Sequence, residues 1–128
     1  MLKRILGVAL AGALALTLGG AVPAAAKAGD VIRRGSCSSS SDWKLKLSPD
    51  NNQIEVEYQV DSNVAGETWT VKIFKNGTRI FRGSRVTKSP SGSFTVRLLT
   101  SDPAGTDTFR AKAVNAGTDE TCGGKASI

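Results

Sequence analysis

Apolar side chains recur at every second residue in segment after segment of this chain, and that period fixes the kind of fold it can reach. In "DWKLKL" Trp43, Leu45 and Leu47 alternate with Lys44 and Lys46; in "QIEVEYQV" Ile54, Val56, Tyr58 and Val60 alternate with Glu55, Glu57 and Gln59. Successive side chains of a strand point to opposite faces, so each run is a half-buried strand with one apolar side. "ETWTVKIF", "TRIFRGSRV", "SFTVRLL" and "TDTFRAKAVN" repeat the pattern, with Trp69, Val71, Ile73, Phe94, Val96, Leu98, Phe109, Ala111 and Ala113 inward. A final short strand ends at Ile128, and the first, near Val31 to Cys37, is expected to be a bulged or twisted edge because Arg33 breaks its parity. Seven or eight such strands with turn residues between them predict an all-β fold, an antiparallel sandwich of immunoglobulin or fibronectin type; a closed barrel is the alternative.

The segment before these strands is different. Lys3 and Arg4 precede an apolar run from Ile5 to Leu18, and Ala24-Ala25-Ala26 follows. This is the layout of a secretory signal peptide, residues 1–26, with cleavage expected after Ala26; the apolar run is shorter than the ~20 residues of a spanning helix. One sandwich-sized domain, residues 27–128, remains. Without Lys3 and Arg4 it carries 15 basic and 11 acidic residues, a net +4. Export makes a disulfide between the two cysteines, Cys37 and Cys122, the expected use of both. The protein is then secreted, with no membrane contact after cleavage, and monomeric.

Two registers can be proposed from the turns. If "SPDNN" is the loop, Leu47 faces Ile54, Leu45 faces Val56 and Trp43 faces Tyr58, while Lys46 meets Glu55 and Lys44 meets Glu57 on the other side. Asn76-Gly77 predicts a two-residue type I′ hairpin that places Lys75 opposite Thr78, Phe74 opposite Arg79, Ile73 opposite Ile80 and Lys72 opposite Phe81. The same Asn76-Gly77-Thr78 fits a glycosylation acceptor, but the signal has a bacterial look and the turn has the better physical reason. Trp43, Trp69 and Tyr58 lie on apolar faces and are expected in the core, the Tyr58 hydroxyl with a hydrogen-bond partner.

Charge is segregated along the chain. Asp50, Glu55, Glu57, Asp61 and Glu67 fall in a stretch without Lys or Arg, whereas Lys72, Lys75, Arg79, Arg82, Arg85, Lys88 and Arg97 fall in one without Asp or Glu. Lys72, Phe74, Arg79 and Phe81 share the outward face of the hairpin and form the candidate binding set, suited to an anionic cell-wall polymer or an acidic protein. The competing reading is a solvated face whose basic side chains are partly neutralised by the acidic strand. Nucleic acid is not expected, since no recognised motif accompanies the charge.

Catalysis is not expected either. The chain has no histidine, no nucleophile elbow, no phosphate loop and no metal cluster, so no catalytic residue, metal or cofactor is assigned. A calcium site from Asp102, Asp107 and Asp119, in and beside the repeated "AGTD", is a weaker alternative to plain turn chemistry. The expected function is therefore a secreted binding or structural module. A protease inhibitor presenting "TKSPSGS" or "TSDPAGT" is the alternative.

Arg33-x-Gly-x-Cys37, Trp43 to Lys46, Ile54 to Tyr58, Ser91 to Arg97 and Asp107 to Asn115 together resemble a group of short exported one-disulfide proteins of high-GC Gram-positive bacteria. The resemblance spans the mature chain, implies export and a sandwich, and transfers no functional residue. The actinomycete antibiotic-carrier proteins share the architecture, but their second disulfide and acidic character are missing, so a chromophore cleft is not implied.

Overall fold

The computed structural model describes residues 27–128; the signal-peptide reading falls on residues outside that range. Eight strands form two antiparallel four-stranded sheets: β1 (Val31–Ser36), β2 (Asp42–Asp50), β3 (Gln53–Asp61) and β6 (Ser93–Ser101) in the order β1-β2-β3-β6, and β4 (Thr68–Lys75), β5 (Thr78–Val86), β7 (Thr108–Asn115) and β8 (Thr121–Ser127) in the order β5-β4-β7-β8. The core between them is made by the predicted alternation: Leu45, Leu47, Ile54, Val56, Tyr58 and Val60 from one sheet meet Trp69, Val71, Ile73, Phe109, Ala111 and Ala113 from the other. β1 is an edge strand, as expected, but its pairing with β2 runs without a bulge. Arg33 is tolerated on the core-side parity because at the edge its side chain is exposed.

The β2–β3 register differs from the predicted one by two residues. Leu47 pairs with Val56, Leu45 with Tyr58 and Trp43 with Val60. Asn51 and Asn52 adopt φ of 49° and 66°, which lets two residues close the hairpin, and Ser48, Pro49 and Asp50 join the strand instead of the loop. A shift of two preserves the faces, so the same side chains are buried. On the outside Lys46 pairs with Glu57 rather than Glu55, and Lys44 with Gln59.

Cys37 and Cys122 form the expected disulfide, closing 85 positions of chain and joining the β1–β2 connection to β8. Ser38 to Ser41 are tied to the start of β8. The Glu120 carboxylate accepts from Ser39 N, Ser41 N and Ser41 Oγ at 3.1, 2.9 and 2.8 Å, seating that connection on β8. Close by, Tyr58 of β3 donates its hydroxyl to the Cys122 carbonyl at 3.2 Å across the sandwich. Burial pushes the Tyr58 phenol well above its ordinary pKa. The folded state thus favours the neutral ring: this contribution is complete below pH about 10, where the unfolded phenol begins to ionise, and is lost as pH rises further. Tyr58→Phe should accordingly flatten the alkaline fall in unfolding free energy. Tyr58 is the one tyrosine of the chain, so phenolate absorbance should report its delayed ionisation directly.

Trp43 sits between two glycines. A Cβ on Gly35 would lie 2.7 Å from the indole Nε1, and one on Gly124 would lie 2.2 Å from Cζ3. The ring therefore occupies the space a side chain would need on β1 and on β8, and it bridges the sheets at the end closed by the disulfide. Gly124→Ala should lower the unfolding free energy by about 1 to 3 kcal/mol through overpacking. Urea titration with an unchanged m-value is the check, and the loss should shrink when Trp43→Leu provides room.

Candidate cationic sheet face

The β4–β5 hairpin turns at Asn76 and Gly77, with φ of 49° and 85°, as the Asn-Gly pair requires. Lys75 faces Thr78 and Phe74 faces Arg79, as predicted. Beyond them the register shifts between Ile73 and Phe74, and Ile80 is the additional residue of a β-bulge. Ile73 consequently faces Phe81, not Ile80, and Lys72 faces Arg82, not Phe81. Ile80 and Phe81 both pack against the core, and the Arg85 guanidinium lies over the Phe81 ring at 5.1 Å. Phe81 therefore leaves the predicted outward set. Phe74 stays in it, since the bulge changes the parity of β5 alone and β4 remains in regular register with β7.

β7 and β8 bring cations to the same face that the hairpin reading did not include. Arg82 of β5 faces Lys72 of β4, which faces Lys112 of β7. In the next row Arg79 faces Phe74, which faces Arg110, which faces Lys125 of β8. Their side chains point outward because their neighbours Val71, Ile73, Ala111, Ala113 and Ala126 point into the core. Within each row, neighbours on adjacent strands stand about 4.8 Å apart. The alternation in "TFRAKAVN" already marked Arg110 and Lys112 as outward. Their adjacency to Lys72 and Phe74 depends on β4 pairing with β7, a contact across more than thirty residues that turn signals do not specify.

No Asp or Glu occurs in β4, β5, β7 or β8. The acidic strand lies in the other sheet and is neutralised there: Arg97 contacts Glu55 at 3.3 Å and Glu57 at 3.2 Å, and Lys44 contacts Glu57 at 3.8 Å. Lys46 contacts Asp30 at 3.8 Å. The solvated-face reading has these acids partly neutralise the basic stretch; they do so at Arg97, while the hairpin cations take no part in these pairs. Among the described residues, no carboxylate pairs with Lys72, Arg79, Arg82, Arg110, Lys112 or Lys125. Of the other basic residues of that stretch, Lys75 Nζ bonds Thr100 and Ser101, Arg85 covers Phe81, Arg97 serves the opposite sheet, and Lys88 is exposed in the β5–β6 loop. Like charges directly opposite one another on a sheet are destabilising. The row Arg82–Lys72–Lys112 is thus a cost to folding with no compensation inside the fold.

The remaining loops bear on two weaker readings. Asp107 and Asp119 lie at opposite ends of β7, so the calcium arrangement cannot assemble. Asp107 instead accepts from Asn76 Nδ2 at 2.9 Å, beneath the hairpin turn. In "TKSPSGS", Gly92 N donates to Lys88 O and Ser62 N donates to Gly92 O, and a Cβ on Gly92 would meet Val64 N at 2.3 Å. The base of that loop is thus held against its neighbour, while Lys88, Ser89, Pro90 and Ser91 are exposed. Among the described residues, no helix is long and apolar enough to cross a membrane. No protein-family model matches the chain, and no curated protein matches it either.

Proposed function

We propose that this protein is an exported, non-catalytic binding module that attaches to an anionic polymer of the cell surface through the outer face of β5-β4-β7-β8. One observation carries the reading: six cations in two rows around Phe74, on four strands without a single carboxylate. Rules of sheet pairing are broken there, and such violations are characteristic of functional surfaces. Electrostatic attraction of this kind sets encounter rate and orientation. The strand order fits an immunoglobulin-type connectivity, β2-β3-β6 against β5-β4-β7-β8, with β1 added at the edge. The test is cosedimentation of the purified mature domain with cell walls at low and high salt. Binding that is strong at low salt and disappears near 0.5 M, where the screening length is roughly 4 Å, supports the reading. Absence of binding at both would end it.

Export also has a local correlate. Lys27 N donates to Asp30 Oδ2 at 2.8 Å, and the Asp30 carboxyl is held below its ordinary range, first by the hydrogen bond from Ser48 and then by Lys27 and Lys46. Cleavage after Ala26 would turn that amide into an α-ammonium beside a carboxylate already set to receive it. The secreted protein should begin at Lys27, and intact mass measurement decides this.

A further inference from the structure

We infer that the recess at the hairpin end of this face is a subsite for one sugar ring bearing an anion, which makes the ligand an acidic glycan. The inference rests on the polymer-binding reading above and narrows it. Phe74, Gly77, Thr108, Arg110 and Lys125 line a recess of about 370 Å³. Phe74 is half-buried and outward-facing, one strand away from Arg110 and two from Lys125. Gly77 has no side chain to close the mouth, and Thr108 brings a hydroxyl, 2.9 Å from that of Ser127.

Each wall suits one part of such a unit. The apolar C–H face of a pyranose packs against an aromatic ring, the guanidinium of Arg110 donates a forked pair of hydrogen bonds to a planar carboxylate or a phosphate, and Lys125 adds a point charge on the next strand. The Thr108 and Ser127 hydroxyls offer donors and acceptors to ring hydroxyls. A bare polyanion would use the cations and leave Phe74 idle. Single-stranded nucleic acid binds to platforms on which successive bases stack, and this face has one aromatic, with Thr70, Val114 and Thr121 continuing away from it. Cations one strand apart match one anion per ring along a chain that crosses the strands from Lys125 past Arg110 to Phe74 and Arg79, with the row Lys112, Lys72 and Arg82 beside it.

The experiment compares the wild-type mature domain with Phe74→Ala and Phe74→Trp on five immobilised polymers: polygalacturonate, a phosphomannan, inorganic polyphosphate, single-stranded DNA and neutral dextran. The expected result is that Phe74→Ala weakens binding to an acidic glycan about three- to tenfold and leaves polyphosphate unchanged, while Phe74→Trp keeps the glycan affinity. Which of the two acidic glycans responds identifies the anion as carboxylate or phosphate. Arg110→Gln should weaken both glycan and polyphosphate. Because Phe74 lies outside the core, an unchanged far-ultraviolet circular dichroism spectrum and melting temperature confirm that each variant is folded. Equal effects of Phe74→Ala on every polyanion, no effect on any, or loss confined to DNA overturns the sugar subsite while leaving polyanion binding intact. Failure of the wild type to bind any of the charged polymers removes the polymer-binding reading itself.

Discussion

Replacing Lys72 and Lys112 together by glutamate should abolish salt-sensitive attachment to cell walls without harming the fold. The two residues face each other in the Arg82–Lys72–Lys112 row, with Lys72 at its centre. An exposed ion contact is worth about 0.2 to 1 kcal/mol, and reversal turns attraction into repulsion. Two reversals together therefore weaken binding roughly tenfold to a few hundredfold at low ionic strength. Lys72→Glu alone turns both pairs of the row, with Arg82 and with Lys112, from like-charge to opposite-charge, so its melting temperature should stay level or rise, whereas the double substitution leaves positions 72 and 112 like-charged. Opposite signs for binding and stability are the signature of a surface kept for a ligand. The control is Arg34→Glu with Lys88→Glu, exposed residues off this face, which changes the net charge equally. If that control weakens binding as much as Lys72→Glu with Lys112→Glu, total charge rather than the rows attracts the polymer, and the face loses its assignment.

Removing the disulfide should have the largest effect on stability. Exchange of Cys37 and Cys122 for serine releases a loop of 85 positions, and loop-closure entropy places the loss at roughly 4 to 5 kcal/mol, with 2 to 5 typical of small secreted domains. The net stability of a domain this size is of similar magnitude, so the variant should be largely unfolded near 37 °C. The bond also holds Cys122 beneath the Tyr58 hydroxyl and keeps the serine connection on Glu120, so fraying should begin where β1 and β8 meet. Hydrogen exchange of the β8 amides under reducing conditions is the local readout, and guanidinium titration the global one. A reduced protein that unfolds at the same denaturant concentration as the oxidised one would contradict this.

How far the sequence led can be judged at individual residues. The faces were legible because burial enforces period two: Leu45, Val56, Trp69 and Phe109 are all where alternation put them. The pairing of Cys37 with Cys122 was legible from their number and from the expectation of export. Registers were less so. A two-residue turn at Asn51-Asn52 and a longer "SPDNN" loop preserve the same faces, so the apolar pattern cannot choose between them. The bulge at Ile80 was hidden for a similar reason: Ile80 and Phe81 are both apolar, and either could have taken the core position. Phe81 was consequently placed outside, while half of the cationic face went unseen, because Arg110, Lys112 and Lys125 join Lys72 only through the β4–β7–β8 ladder. Local alternation reports which way a side chain points and is silent about who stands next to it.

Charge sorting between the two sheets has a consequence for how the molecule moves. One broad side is electrically balanced by Arg97, Lys44 and their glutamates, while the other is uniformly positive. The domain therefore has a permanent dipole directed across its thin dimension. In the field of a polyanionic wall such a body experiences torque before it touches anything, and it arrives already turned, with the balanced side facing the medium.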